Sequence, residues 1–327
     1  MRALRCNRYG PPQSLVVEDL PNPRPGPGEV LIGVEAAAVN FPDVLIAAGL
    51  YQVRIDVPFT PGSEFAGRVL AVGSGVSRFV PGDPVRGSCT VGAFSEMVVA
   101  NEAAIRAIPE GTSFTLAAAF HVVYATAYHA LRSVGQAKPG EWVVVLGAAG
   151  GVGLAAVELA AAMGCRVLAA ASSPGKLAAC EAKGADAVVN YSHEDLKVRI
   201  KDLTGGGADV FVDPVGGSYS EAALRAGRWG SRFVVVGFAS GEIPRIPLNL
   251  VLIKGVEIRG FELRTFAQFE PTLAARDDEE LAALWESHKV VPYVASKYPL
   301  DRADEALAEV AQRRSIGKVV IEMASRS

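Results

Sequence analysis

The sequence predicts an α/β protein. A doubly wound parallel sheet of six strands forms one domain, and a β-rich domain flanks it in the chain as two discontinuous parts. Three observations carry this. In Trp142 to Gly164, WVVVLGAAGGVGLAAVELAAAMG, a β-branched run ends in a cluster of small residues and opens at once into alanine-rich text of helical spacing. From there to about residue 261, short apolar runs alternate with helical segments, as parallel strands joined by crossovers require. Residues 1–110 read differently, as short Val, Ile, Leu and Phe runs broken by Pro and Gly.

The chain has 327 residues, enough for about two domains, and half of them are hydrophobic, ample for two cores. A net charge of −3 and a pI near 5.9 give no general pull toward nucleic acid or an anionic membrane. Cys6, Cys89, Cys165 and Cys180 are scattered without a C-x-x-C, so no zinc site is expected and a reducing cytoplasm suits them. No apolar signal-peptide core opens the sequence. Gly111 to Leu131 carries no formal charge, but its two histidines and several hydroxyl residues predict a buried helix and not a membrane span.

Taken in order, the β-rich text runs through LVVEDLPNPRPGPGEVLIGVEAAAV, EFAGRVLAVGSGVSRFVPGDPV and AFSEMVVA. The domains are expected to be 1–121 with 266–327, and 122–265, with Thr115–Leu131 as the link. Strands are predicted at about 142–147, 166–171, 186–190, 208–213, 232–238 and 256–261. Helices are predicted at about 151–163, 174–183, 193–203 and 218–228. After Arg264 the text is helical again, and Lys318-Val-Val-Ile-Glu322 is expected to return to the first domain's sheet.

Two stretches carry chemistry. Ala148, Gly150 and Gly153 fall on the G-x-G-x-x-G frame, with alanine in the first place. Small residues there let a pyrophosphate approach bare backbone at a helix N-terminus, where free N–H groups and the dipole favour negative charge. The end of the second strand then decides between coenzymes. An NAD site usually places an acid there to bind the ribose hydroxyls, yet no acid occurs between Glu158 and Glu181. The strand ends instead in Ser172-Ser173-Pro174-Gly175-Lys176, hydroxyls and an ammonium suited to a 2′-phosphate, which points to NADPH. Ser173 would also serve as a helix cap ahead of Pro174. Tyr191, after the third strand, is a further candidate for the adenosine-phosphate pocket.

The sequence resembles the medium-chain dehydrogenase/reductase superfamily, in its zinc-free NADPH:quinone oxidoreductase branch of the zeta-crystallin type. The resemblance is carried by AAAVNFPDVLIAAGLYQ (36–52), PFTPGSEFAGRVLAVG (58–73), PGDPV (81–85), ATAYHAL (125–131), LGAAGGVGLAAVELA (146–160), GADAVVNY (184–191) and GKVVIE (317–322), which span almost the whole chain. It implies a β-rich catalytic domain, a nucleotide domain, an active site in the cleft between them, and a homodimer or homotetramer joined through the nucleotide domain. Zinc alcohol dehydrogenases of this superfamily place a zinc-ligating Cys where this chain has Asn40, and a Gly-His-Glu where it has Gly62-Ser63-Glu64. An amide and a hydroxyl do not replace thiolate and imidazole as tight zinc ligands, so no metal is expected. Chemistry without a Lewis acid suits an electron-poor acceptor such as a quinone or a carbonyl-conjugated C=C.

By the same resemblance Asn40 lies near the nicotinamide and substrate, and Tyr51 lines the substrate pocket. Thr126 serves the nicotinamide side, and Ala149, Gly150, Gly151 and Val152 form the pyrophosphate turn. Ser172, Ser173, Lys176 and Tyr191 take the 2′-phosphate. Gly237, Phe238 and Ala239 flank the nicotinamide ribose, and Lys318 reaches the cofactor from the returning tail. Asp43 is expected only to cap a helix, and His121 and His129 to be satisfied interior histidines. Where relatives often carry an aromatic-rich run after Lys254-Gly255, this chain has Phe261-Glu262-Leu263-Arg264-Thr265-Phe266, which adds a charge. No general acid is obvious. The expected activity is zinc-independent, NADPH-dependent hydride transfer to a small-molecule acceptor, a quinone or related conjugated carbonyl. An enoyl-thioester or alkenal double-bond reductase, and a non-catalytic NADPH-binding structural or regulatory protein, are the alternatives.

Overall fold

The computed structural model describes residues 1–323. These form two compact units, Met1–Val122 with the segment from Pro292 onward, and Val123–Val291. The first unit opens with an antiparallel ribbon of β1 (Arg2–Arg5) and β2 (Val16–Asp19). Its main sheet is built on β3 (Glu29–Val39), which pairs antiparallel with β4 (Glu64–Val72) and β6 (Met97–Asn101). Inward residues of β3 alternate at Val30, Ile32 and Val34, and from Ala36 to Val39 burial becomes continuous. β5 (Pro84–Ser88) and β7 (Ile105–Ala107) extend the sheet beyond β4. β3 runs straight into α1 (Phe41–Ala47), where Pro42 presets φ in the first turn.

The uncharged stretch from Gly111 is not one helix. It divides into α2 (Phe114–Ala118) and α3 (His121–His129), which ends in a π-helical turn over Ala130–Val134. No helix among the described residues is long and apolar enough to cross a membrane.

The second unit is the predicted α/β sheet. β8 (Trp142–Leu146), α4 (Gly151–Ala162), β9 (Arg166–Ala171), α5 (Pro174–Ala182), β10 (Ala187–Asn190), α6 (Leu196–Thr204), β11 (Ala208–Asp213), α7 (Ser218–Arg225), β12 (Gly227–Val235), α8 (Leu248–Lys254) and β13 (Glu257–Gly260) follow in turn. All six strands are parallel, in the order β10-β9-β8-β11-β12-β13. The direction of winding reverses between β8 and β11, the switch point at which open α/β sheets bind ligands. β12 begins at Gly227, ahead of the predicted 232, because Gly227 already pairs with Ala208 before an irregularity in register. α6 starts at Leu196 and not at 193, since Asp195 accepts the Val198 N–H at 2.9 Å and caps the helix there.

The second unit does not end near Phe266, where the sequence placed the boundary. α9 (Leu263–Phe269) and α10 (Pro271–Glu286) stay with it to Val291. The reason is polar as well as apolar. Buried Asp277 of α10 accepts from His129 Nδ1 at 3.0 Å and from Ser133 Oγ at 2.5 Å, and Glu280 pairs with Arg132 at 2.9 Å. Phe261 and Phe266 flank the His129 ring at centroid distances of 6.0 and 5.0 Å. His129 is thus an interior, partnered histidine.

The chain then returns to the first unit as β14 (Val294–Pro299), α11 (Ala303–Ala311) and β15 (Lys318–Glu322). β15 inserts antiparallel beside β3, with Val319 opposite Val39, completing the order β14-β15-β3-β4-β5-β7. The tail therefore places Lys318 at the end of β3, next to Asn40.

Candidate active site

In the second unit the glycine turn is a cradle that side chains would fill. A Cβ on Gly153 would lie 2.3 Å from the Gly147 carbonyl oxygen and 2.8 Å from Ala148 Cα, so α4 packs on the turn only with glycine there. Gly147 itself adopts φ +56°, left-handed backbone. Ala149 is buried within the turn and Gly150 is the N-cap of α4. The first α-helical bond is Leu154 N–H to Gly150 O, at 2.8 Å, so the N–H groups of Gly151, Val152 and Gly153 precede the hydrogen-bonded ladder. Bare backbone, a twelve-residue helix and uncommitted N–H groups fit a pyrophosphate.

At the end of β9, Lys176 Nζ lies 3.4 Å from Ser172 Oγ, one helical turn away. Ser173 occupies the N-cap position of α5, but its side chain makes no capping bond, so that hydroxyl is not spent on the helix. Ser192 Oγ donates to Ser172 O at 3.3 Å, and Tyr191 N–H donates to Ala171 O at 3.1 Å. Ser172, Ser173, Lys176 and Tyr191 are thereby gathered at the carboxyl ends of β9 and β10. The Tyr191 ring rests against Tyr219 at 4.4 Å between centroids, a partner the sequence did not single out.

Gly237, Phe238 and Ala239 follow β12. The turn after β11 holds them, through Gly237 N–H to Asp213 O at 3.3 Å and Ala239 N–H to Pro214 O at 3.0 Å. Asp213 stabilises that turn, its Oδ1 accepting from the Val215 and Gly216 N–H groups and its Oδ2 from the Ser220 hydroxyl. Burial nonetheless pushes its carboxyl above the usual range. Thr126 is buried on α3. Arg264 pairs with Glu262 at 3.3 Å, which offsets the charge it adds.

In the first unit the centre is Asn40, buried at the end of β3. Lys318 Nζ donates to Asn40 Oδ1 at 2.6 Å and to Val39 O at 3.1 Å, and Asn40 Nδ2 donates to Glu64 Oε2 at 3.2 Å. Lys318 is only 3% exposed. Burial lowers its pKa, while Glu64 and Asp43 oppose that shift. Its hydrogen bonds run to Asn40, Val39 and Glu64, so within this unit Lys318 acts on the amide. Asp43 accepts the Asn40 backbone N–H at 2.8 Å, a helix-cap bond as expected. Its carboxyl is pushed up to about 6 because burial outweighs that bond, the Ser63 hydroxyl and the Lys318 charge. Cys89 stands nearby, its thiol pushed up to about 12 by burial. Tyr51 lies past α1 and packs against the apolar core of this unit.

Glu64 is the residue that sequence reasoning passed over as a working part. The available signal was an acid opening an otherwise apolar strand, EFAGRVLAV. Among the described residues no three His, Cys, Asp or Glu side chains are grouped to hold a metal ion.

The fold is shared with known proteins. The family profile described as alcohol dehydrogenase GroES-like domain matches residues 26–110, and that described as zinc-binding dehydrogenase matches 151–277. The chain is 38% identical to a quinone oxidoreductase-like protein 2 homolog of Nematostella vectensis, over 98% of this chain and 88% of that protein. The quinone oxidoreductase of Thermus thermophilus, solved also as its complex with NADPH, is 36% identical with a TM-score of 0.85, covering 98% of this chain and 100% of the other. The Escherichia coli quinone oxidoreductase complexed with NADPH superposes with a TM-score of 0.91 at 29% identity, with the same coverage. The chain belongs to the medium-chain dehydrogenase/reductase superfamily of oxidoreductases, beside its quinone oxidoreductase-like members.

Proposed function

We propose that this protein is a zinc-independent NADPH oxidoreductase that reduces quinones or related conjugated carbonyls. The observation that carries the reading is the end of β9, where Ser172, the unspent Ser173 hydroxyl and Lys176 stand in place of an acid. A carboxylate there would repel a 2′-phosphate, while these groups receive it with charge-assisted bonds. The NADPH complexes of the similar Escherichia coli and Thermus enzymes support the same coenzyme. NADPH, when bound, supplies the hydride.

The chain's own part is binding and orientation. The N–H groups of Gly151 and Val152 would hold the pyrophosphate, and Ser172, Lys176 and Tyr191 would select the 2′-phosphate. Gly237, Phe238, Ala239 and Thr126 would hold the nicotinamide half of the coenzyme. The Asn40 amide orients the reacting groups, and Tyr51 borders the acceptor. Zinc independence rests on the donor set. An amide and a serine stand where a thiolate and an imidazole would be needed, and the Lys318 ammonium already engages Asn40 Oδ1. Delocalisation in a quinone or an enone accepts the incoming charge without a metal, and most of the acceleration then comes from positioning.

The protein works in the cytoplasm as a homodimer. β13 is an edge strand of the nucleotide sheet, and Trp229, Leu248, Leu252, Ile253 and Ile258 around it are exposed apolar side chains.

The test is NADPH oxidation by the purified protein against benzoquinones, naphthoquinones, alkenals and crotonyl-CoA. Turnover of quinones is expected, with NADPH strongly preferred to NADH. Turnover of the thioester alone would make it an enoyl reductase. Tight NADPH binding with no turnover of any acceptor would make it a binding protein.

A further inference from the structure

Glu64 opens β4 and is 1% exposed, yet the reading above gives it no part. Three donors converge on its carboxylate. Asn40 Nδ2 donates to Oε2 at 3.2 Å, Lys318 Nζ lies 3.5 Å from the same oxygen, and the Val122 backbone N–H donates to Oε1 at 2.8 Å. The two amide nitrogens can only donate, and so does Lys318 Nζ as an ammonium. The position therefore needs a side chain whose two ends both accept, which an ionised carboxylate supplies and an amide does not. Its reach also matters. The three donors sit at the end of β3, at the start of β15 and in the first turn of α3, and aspartate is one methylene shorter. Lys318 donates in turn to Asn40 Oδ1 at 2.6 Å. Both ends of the Asn40 amide are thus held, with oxygen toward the ammonium and nitrogen toward the carboxylate.

We infer that Glu64 is a positioning residue, a clamp of acceptors only that orients the Asn40 amide, keeps Lys318 against it and anchors the start of α3. Its bearing on turnover rests on the reading of Asn40 proposed above. Glutamine at position 64 would turn its nitrogen either to the Val122 N–H or to Asn40 and Lys318, and meets a donor in both orientations. Aspartate at position 40 would instead face Glu64 with a second carboxylate. The two changes together are complementary. The carboxylate at position 40 then accepts from Lys318 and from the amide nitrogen at position 64, the amide oxygen at position 64 accepts from Val122, and the summed charge is as before; only the longer 3.5 Å approach of Lys318 to position 64 is left between two donors.

The experiment compares wild type, E64Q, N40D and N40D/E64Q without coenzyme, by thermal unfolding and by amide hydrogen exchange at Val122. Each single variant is expected to unfold about 5 °C lower. Exchange at Val122 should quicken about tenfold in E64Q. The double variant should regain most of the unfolding midpoint and the Val122 protection. With coenzyme, E64Q should lose about tenfold in kcat for quinone reduction while its NADPH affinity stays within about twofold. Additive losses in the double variant, or a kcat of E64Q equal to wild type, would overturn the inference. If E64Q does not fold, the double variant decides alone: a folded protein with Val122 protected supports the clamp, and an unfolded one rejects it. A wild type inactive toward every acceptor would reject the proposed function, and the coenzyme-free readings would still decide the clamp.

Discussion

At the scale of single side chains, Asp43 bears on stability and Lys176 on the proposed coenzyme site. The Asp43 carboxyl has its ordinary 3.8 raised to about 6, burial outweighing the Asn40 N–H, Ser63 and Lys318. A raised value means that the folded chain holds the proton more tightly than the unfolded one. The stabilising contribution is complete below the ordinary value and is lost as pH rises through about 6. Asp43→Asn has no such titration. From about pH 5 to about pH 7 the wild type should therefore lose about 1 kcal/mol relative to D43N. Urea unfolding of both proteins across that range measures it, and parallel curves would show that the carboxyl titrates normally. Lys176 stands 3.4 Å from Ser172 Oγ and far from Asn40 in sequence. Lys176→Ala should weaken NADPH about tenfold or more, the worth of a charge-assisted bond, and leave NADH unchanged. Fluorescence titration with both coenzymes reads the ratio, and an equal loss for the two would remove the 2′-phosphate from Lys176.

α4 is where local sequence and packing agree most closely. Small residues ahead of the helix leave its first N–H groups clear, and Gly153 lets it sit on the turn. Gly153→Ala places a Cβ against the backbone of Gly147 and Ala148, which no rotamer change relieves. The substitution should cost about 1–3 kcal/mol in urea unfolding. Gly175→Ala in α5 is the control. A Cβ there meets nothing within 4 Å, so it should be neutral or slightly stabilising. Equal losses in the two variants would show that close packing is not what glycine serves at position 153. The sheet strands and α4 to α7 were readable because apolar runs and helical spacing are properties of contiguous text. The boundary near residue 266 was not. The text after Arg264 reads as helical, and nothing local says which core such a helix joins. Asp277 meeting His129, and Glu280 meeting Arg132, decide it, each across a sequence separation of 148.

For the whole molecule, the edge of the nucleotide sheet at β13 is the surface on which the proposed dimer rests. Among the described residues β13 pairs only with β12, and exposed Leu252 and Ile258 stand beside its open edge, a surface of the kind that folded proteins usually cover. Leu252→Asp combined with Ile258→Lys should halve the mass measured by light scattering on a sizing column. A wild type that is already monomeric, or a double variant of unchanged mass, would place the assembly surface elsewhere. The same variant should keep its NADPH affinity, because Ser172 and Lys176 lie at the carboxyl ends of strands on the opposite side of the sheet order.

Contiguous text was enough to specify the doubly wound sheet, the glycine turn and the missing acid after β9, since each is written within a few consecutive residues. It took the folded chain to bring Glu64 and Lys318 to either side of Asn40. Lys318 lies 278 residues from Asn40 and 254 from Glu64. Their convergence depends on β15 entering the sheet beside β3, in the one register that opposes Val319 to Val39. A buried ammonium, amide and carboxylate satisfy one another only when all three arrive together, and no local pattern in the chain encodes that meeting.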